Sequence, residues 1–206
     1  AAQADDGVIR IGFITDMSGL SADADGPGGA EAIKMAIADF GGSVAGKKIE
    51  VLVADHQNRA DIASSRAREW LDQKGVNMLI AGANSAAALA MAKVAEEKKT
   101  PFFVVSAGAS ELTNSQCTPY TVHYVYDTVS LARGTARAML KEGNKDWFFL
   151  TVDHAFGQAL ERDASAVVTA DGGTVKGRVR HPLNTADFSS FILQAQASGA
   201  TVLGLA

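Results

Sequence analysis

Residues 78–110, MLIAGANSAAALAMAKVAEEKKTPFFVVSAGAS, constrain the fold more than any other stretch of the chain. They read as strand, loop, helix, strand, loop. The apolar run Met78–Ala81 is short and stops at Gly82, the pattern of a buried strand in a parallel sheet. In the GANS loop, Asn84 or Ser85 offers an N-cap to an alanine-rich helix from Ala86 to about Lys98. Pro101 ends the connection, and Phe102–Val105 is the next strand. It opens into a second small-residue loop, SAGAS, Ser106–Ser110. Two successive parallel strands therefore aim two loops, rich in hydroxyls and free N–H groups, at one edge of the sheet. Ligands of open α/β sheets sit at that carboxyl edge, and the helix after GANS turns its positive N-terminus toward it. The segment predicts one wall of a site for a small anionic molecule.

The same unit recurs along the chain. Val8–Thr15 is a first strand, followed by a loop from Asp16 to Gly29. A helix over Ala30–Phe40 places Ile33, Ile37 and Phe40 on one face. Gly41–Gly46 turns the chain, and Lys48–Ala54 is the second strand. A helix over Ala60–Lys74 buries Ile62, Ala63, Ala67, Trp70 and Leu71 and ends at Gly75. Tyr120–Tyr126 alternates and reads as strand five. The order predicts a doubly wound parallel sheet with right-handed crossovers. The pattern then restarts with a helix over Leu131–Glu142, a strand over Asp146–Val152 and a helix over Gly157–Ala170. A strand over Thr174–Arg180, a helix beginning at Asp187 or Ser189, and a strand over Thr201–Ala206 complete it. Two α/β lobes are expected, residues 1–127 and 128–206, the second with about three strands. Trp70 and Trp147 belong to the cores.

Composition narrows the function. The 206 residues carry 19 basic and 23 acidic side chains, a net charge of −4 that does not point to nucleic acid. No apolar run approaches the roughly 20 residues of a membrane span. Cys117 is the sole cysteine, so no disulfide closes within this sequence. His56, His123, His154 and His181 are scattered without metal-ligand spacing. The leader AAQADDG has the small-residue character left by signal peptidase, or that of a simple tail.

Five segments in order carry a resemblance: the first strand followed by MSG, the GANS loop, SAGASELT, VDHAFG, and TADFSSFILQAQASGA. Together they resemble the periplasmic solute-binding proteins of ABC transporters, most closely the leucine/isoleucine/valine-binding group with the type I periplasmic binding fold. The resemblance implies two lobes that close on a small solute, delivery to a membrane permease, a periplasmic location, a monomer, no cofactor and no catalysis. It implies that Ser85 holds a ligand carboxylate, with Asn84 beside it as a further ligand-binding residue. Gly108 and Ser110 match positions that supply backbone groups and a hydroxyl, and Ser106 in the same loop is a further ligand-binding candidate that could instead close a turn. Phe156 stands where amino-acid binders usually have tyrosine, which leaves a stacking face without a hydroxyl. Tyr124, Tyr126 and Asp127 fall near the hinge as cleft or hinge residues. LARGTARAML and DWFFLTVDHAFG are similar to members that take aromatic or other hydrophobic carboxylates, and a branched-chain or hydrophobic amino acid is the alternative ligand.

Rival readings rest on weaker patterns. A ligand-sensing regulator of the same fold would need a DNA-binding module, and none precedes Val8 in this sequence; a receptor of the same fold is the related alternative. A nucleotide-dependent enzyme could use Asp55 at the end of strand two, but G-x-G-x-x-G does not follow Thr15. A hydrolase built from Ser85, Asp153 and His154 lacks the G-x-S-x-G elbow and divides its members between lobes. The last expectation concerns length. The final strand would leave an apolar sheet edge, so these residues are expected to be part of a longer chain, which intact-mass measurement decides.

Overall fold

The computed structural model describes residues 6–206. The leader expectation falls largely on residues 1–5, which lie outside the described residues. Two compact units are present, one extending to Val125 and the other running from Tyr126 to Ala206.

In the first unit, β1 (Val8–Thr15), β3 (Lys47–Asp55), β4 (Val76–Ala81), β5 (Phe102–Val104) and β6 (Thr121–His123) run parallel. The sheet order is β2-β3-β1-β4-β5-β6, with β2 (Ser43–Val44) an added antiparallel edge. Alternation along β1 sorts the side chains. Phe13 faces α2 (Pro27–Asp39), where it packs with Ala30 and Ile80. Ile14 faces α3 (Ala60–Gln73) and α4 (Ser85–Lys98), in a core with Ala63, Trp70, Leu79, Met91 and Phe102. The alanines of α4, Ala87, Ala88, Ala92 and Ala95, let that helix lie close on the sheet.

Several boundaries differ from the sequence reading, each for a local reason. The first unit has six strands rather than five, because Ala45 and Gly46, at φ 51° and 77°, make a two-residue turn that folds Ser43–Val44 back on β3. The loop after β1 contains a short helix, α1 (Ala22–Asp25), and α2 begins three residues early at Pro27, a favoured first helical residue. Phe40, expected on the buried face, is the C-cap of α2 and is 66% exposed. Strand five shrinks to β6, so Tyr124 and Tyr126 lie beyond the sheet, both exposed.

The second unit holds α5 (Thr128–Lys141), β7 (Asp146–Val152), α6 (Ala155–Ala170), β8 (Thr174–His181), α7 (Ser189–Ala197) and β9 (Val202–Leu205). Its parallel strands are ordered β8-β7-β9. Trp147 and Phe149 stack at 5.8 Å in a core with Ala132, Ala136, Leu140, Ala164 and Val168. The edge strand β8 carries Lys176, Arg178 and Arg180, which meet Asp146, Glu161 and Asp153. Such a charged stripe disfavours pairing with a foreign strand. Helix α5 starts three residues earlier than the pattern indicated, because Asp127 and Ser130 form a capping box. Among the described residues, no helix is long and apolar enough to cross a membrane.

Candidate functional site

The carboxyl ends of the parallel strands in the first unit gather most of its buried polar side chains. Thr15 and Asp16 end β1, and both are fully buried. Asp55 and His56 end β3, with His56 1% exposed. Asn84 and Ser85 open α4 beyond Gly82, and Ser106–Ser110 follow β5.

Asn84, not Ser85, is the N-cap, since its Oδ1 accepts the Ala87 N–H at 2.9 Å. Its Nδ2 donates to Asn58 Oδ1 at 3.0 Å. Ser85 is fully buried, and its Oγ accepts the Ala109 N–H at 3.3 Å. That bond ties the start of α4 to the SAGAS loop, so the two loops predicted to share an edge do meet. Gly108 and Ser110 are buried and Ser106 is half-buried. Ser110 also opens a single 3-10 turn, Ser110–Thr113. From β6, His123 Nε2 lies 2.7 Å from the Ala107 carbonyl and pins the same loop.

The loop after β1 is organised by carboxylates. Asp16 accepts the N–H groups of Gly19 and Ser21, each at 2.8 Å, and the Asn58 side-chain amide. Burial alone would push the Asp16 carboxyl up, but hydrogen bonds from Ser21, Gly19, Asn58 and Ser18 outweigh it and hold it below the ordinary aspartate range. Asp55 likewise is lowered despite burial, by Ser18 Oγ at 2.5 Å and the N–H groups of Met17 at 3.1 Å and Gln57 at 2.8 Å. Its acceptor positions are thus occupied by its own loops rather than offered to a ribose. His56 Nδ1 accepts the Asn58 N–H at 3.1 Å. Burial lowers the His56 pKa against the opposing pull of Asp16, Asp55 and Asp25.

These shifts set an acid response. A histidine whose folded pKa is depressed binds its proton first in the unfolded chain, so stability is retained above 6.5 and lost as pH falls below it. Asp16 and Asp55, also depressed, add stability that is lost only below their ordinary value of 3.8. Urea titrations from pH 8 to 4.5 are expected to show the first loss. The His56→Gln variant should flatten it by up to about 1.4 kcal/mol per pH unit. His154, lowered by burial in the second unit, supplies a residual slope. An unchanged slope in the variant would assign the whole loss elsewhere.

In the second unit, Phe156 is half-buried in the first turn of α6, behind His154 at the N-cap. The Asp127 side chain accepts the Ser130 N–H at 2.7 Å and caps α5. Tyr124 and Tyr126 are 77% and 53% exposed. Ser85 lies in the first unit and Asp153 and His154 in the second, and no hydrogen bond to a serine hydroxyl accompanies that histidine among the described residues. An apolar hollow of about 430 Å³ lies between α5 and β9, lined by Leu131, Met139, Trp147, Phe149 and Leu205. Its walls hold no charged side chain, so it lacks the groups that would orient an anion.

Sequence reasoning missed Asp16, Asn58 and His56 as members of this edge. The signal available was Asn58 itself, in a strand-end loop where asparagine tolerates a left-handed backbone.

The family described as "Periplasmic binding protein" matches residues 8–206. A periplasmic binding protein from Burkholderia mallei is 63% identical, with a TM-score of 0.94 over 97% of this chain and 53% of that one. Leu/Ile/Val-binding protein homolog 6 of Brucella abortus (strain 2308) is 30% identical over 202 residues, which are 97% of this chain and 50% of the relative. A solute binding protein of an ABC transporter from Rhodopseudomonas palustris BisB5, solved with 3,4-dihydroxybenzoic acid, is 28% identical. Its TM-score is 0.84 over 98% of this chain and 55% of that one. The chain spans about half the length of these relatives.

Proposed function

The chain belongs to the periplasmic binding protein family, and from that premise we propose that it serves an extracytoplasmic solute-binding protein that passes a small organic carboxylate to an ABC transporter permease. The observation that carries this reading is the carboxyl edge of the first unit, where the N-terminus of α4 and the SAGAS loop converge through Ser85. A helix start and small-residue loops supply N–H donors to a carboxylate without a metal or a cofactor. Ser85, Gly108 and Ser110 are the proposed contacts, with Ser106 at the rim and Asn84 shaping the helix start. The family resemblance supports Phe156, in the second unit, as a further proposed contact through its ring face.

The ligand class is supported by the phenyl ring of Phe156 and by the relatives. A phenyl face, without the tyrosine hydroxyl, suits a hydrophobic or aromatic acid such as a hydroxylated benzoate. A branched-chain amino acid is the second candidate, supported by the Leu/Ile/Val-binding name of the Brucella relative. The role is binding and release without turnover.

A thermal-shift screen of the intact protein tests this. Benzoates, branched-chain amino acids and their neutral amides are added singly. At about 100 times Kd, a true ligand raises stability by about 2.7 kcal/mol, and acids should do so where matched amides do not. A stronger response to amides than to acids would overturn the carboxylate assignment.

A further inference from the structure

We infer that Asp16, Asn58 and Asn84 form a positioning chain that fixes the direction of two side-chain amides and so holds the start of α4 and Ser85 in the geometry that receives the solute. The inference rests on the solute-binding reading and adds to it a positioning role for these three residues.

An ionised carboxylate can only accept. Asp16 is fully buried, and it takes two backbone N–H groups and the Asn58 amide. Asn58 must therefore turn its NH2 toward Asp16 and its oxygen away. That oxygen lies 3.0 Å from Asn84 Nδ2, so Asn84 presents its own NH2 to Asn58. The Asn84 oxygen is left facing α4, where it accepts the Ala87 N–H at 2.9 Å. One charge thus selects the orientation of two amides in series. Reversing either amide would set NH2 against an N–H donor and leave a buried donor without a partner.

The chain also joins the carboxyl ends of three strands that neighbour one another in the sheet, β3, β1 and β4. Its middle member is held in an uncommon conformation. Asn58 has φ 56° and Gln57, before it, φ 53°, two of the four left-handed non-glycine residues among the described ones. The His56 Nδ1 bond to the Asn58 N–H and the Asp55 bond to the Gln57 N–H stabilise that turn. Strain of this kind persists where the surroundings over-determine it. The turn places the Asn58 side chain between Asp16 and Asn84.

Two variants separate positioning from mere support. Asn58→Gly keeps the left-handed backbone without strain and removes the amide. It should weaken carboxylate binding about tenfold at every pH. Asn58→Asp sets a second carboxylate against Asp16, near Asp25, Asp55 and His56. At pH 7.5 it should bind at least as poorly. Toward pH 5 the introduced carboxyl takes up a proton, can donate to Asp16 and accept from Asn84, and should recover most of the affinity relative to wild type at the same pH. Dividing by the wild-type curve removes the wild-type contribution of His56, so the ratio reads the new carboxyl together with its coupling to His56. Hydrogen exchange at the Ala87 amide is the companion readout and needs no solute. It should quicken severalfold in Asn58→Gly, and in Asn58→Asp at pH 7.5 but not at pH 5. Wild-type affinity and wild-type Ala87 protection in both variants would overturn the inference while leaving the solute-binding reading in place. Failure of the wild-type protein to bind any carboxylate, with Ala87 exchange still following Asn58, would overturn that reading and uphold the chain.

Discussion

Gly82→Ala is expected to destabilise the first unit by about 3 kcal/mol, a large penalty for one added methyl group. A Cβ at this position would stand 2.0 Å from Thr15 Oγ1 and 2.6 Å from Asp25 Oδ2. Thr15 is fully buried and donates to Asp25 Oδ1 at 2.8 Å, so neither group can swing away without losing the bond that anchors α1 at the sheet edge. Gly82 also follows β4 directly and leads into the loop that Asn84 and Ser85 occupy, so the disturbance should reach the binding edge. Urea unfolding measures the stability loss. Gly28→Ala is the control, because a Cβ there meets nothing within 4 Å and the site lies within α2. It should leave stability unchanged or raise it by up to about 1 kcal/mol. Similar unfolding midpoints for the two variants would show that the Thr15–Asp25 pair yields easily.

The second large effect is on affinity. Ser85→Ala should weaken carboxylate solutes by about 1.5–3 kcal/mol, the range for a hydrogen bond to a charged group. Neutral amides of the same body should lose less. Fold stability should fall only modestly, since the bond from the Ala109 N–H is long at 3.3 Å and the helix cap belongs to Asn84. Calorimetric titration of the acid and its amide against wild type and variant decides it. Equal losses for both would mean that Ser85 only ties the SAGAS loop to α4.

Where one strand follows directly from its own residues, the sequence is legible to the residue. Asp146–Val152 is a case, bounded by the Gly143 turn before it and by Asp153 and His154 after it. Where a boundary depends on a neighbour, it is not. The alternation of YTVHYVY continues to Tyr126, yet β6 ends at His123 because β5 offers it only Phe102–Val104 to pair with. The start of α5 at Thr128 depends on the Asp127–Ser130 capping box, whose members look like loop residues in isolation.

The candidate site divides along the same line. That two small-residue loops meet at one sheet edge can be read from the order strand, loop, helix, strand, loop. Which of Asn84 and Ser85 caps the helix cannot, because either side chain serves chemically. The link from Asp16 to Asn58 spans 42 positions and that from Asn58 to Asn84 spans 26. No local pattern announces such pairs. They follow from the adjacency of β3, β1 and β4, a property of the crossovers rather than of any segment.

The central claim is that the protein holds one small carboxylate at this edge and releases it unaltered. Titration calorimetry of the intact protein with the best acid from the screen, followed by mass analysis of the recovered solute, tests it most directly. The account predicts one solute bound per chain, affinity lowered in Ser85→Ala, and a solute of unchanged mass after prolonged incubation. Chemical conversion of the bound acid, or binding that Ser85→Ala leaves untouched for acids and amides alike, would contradict it.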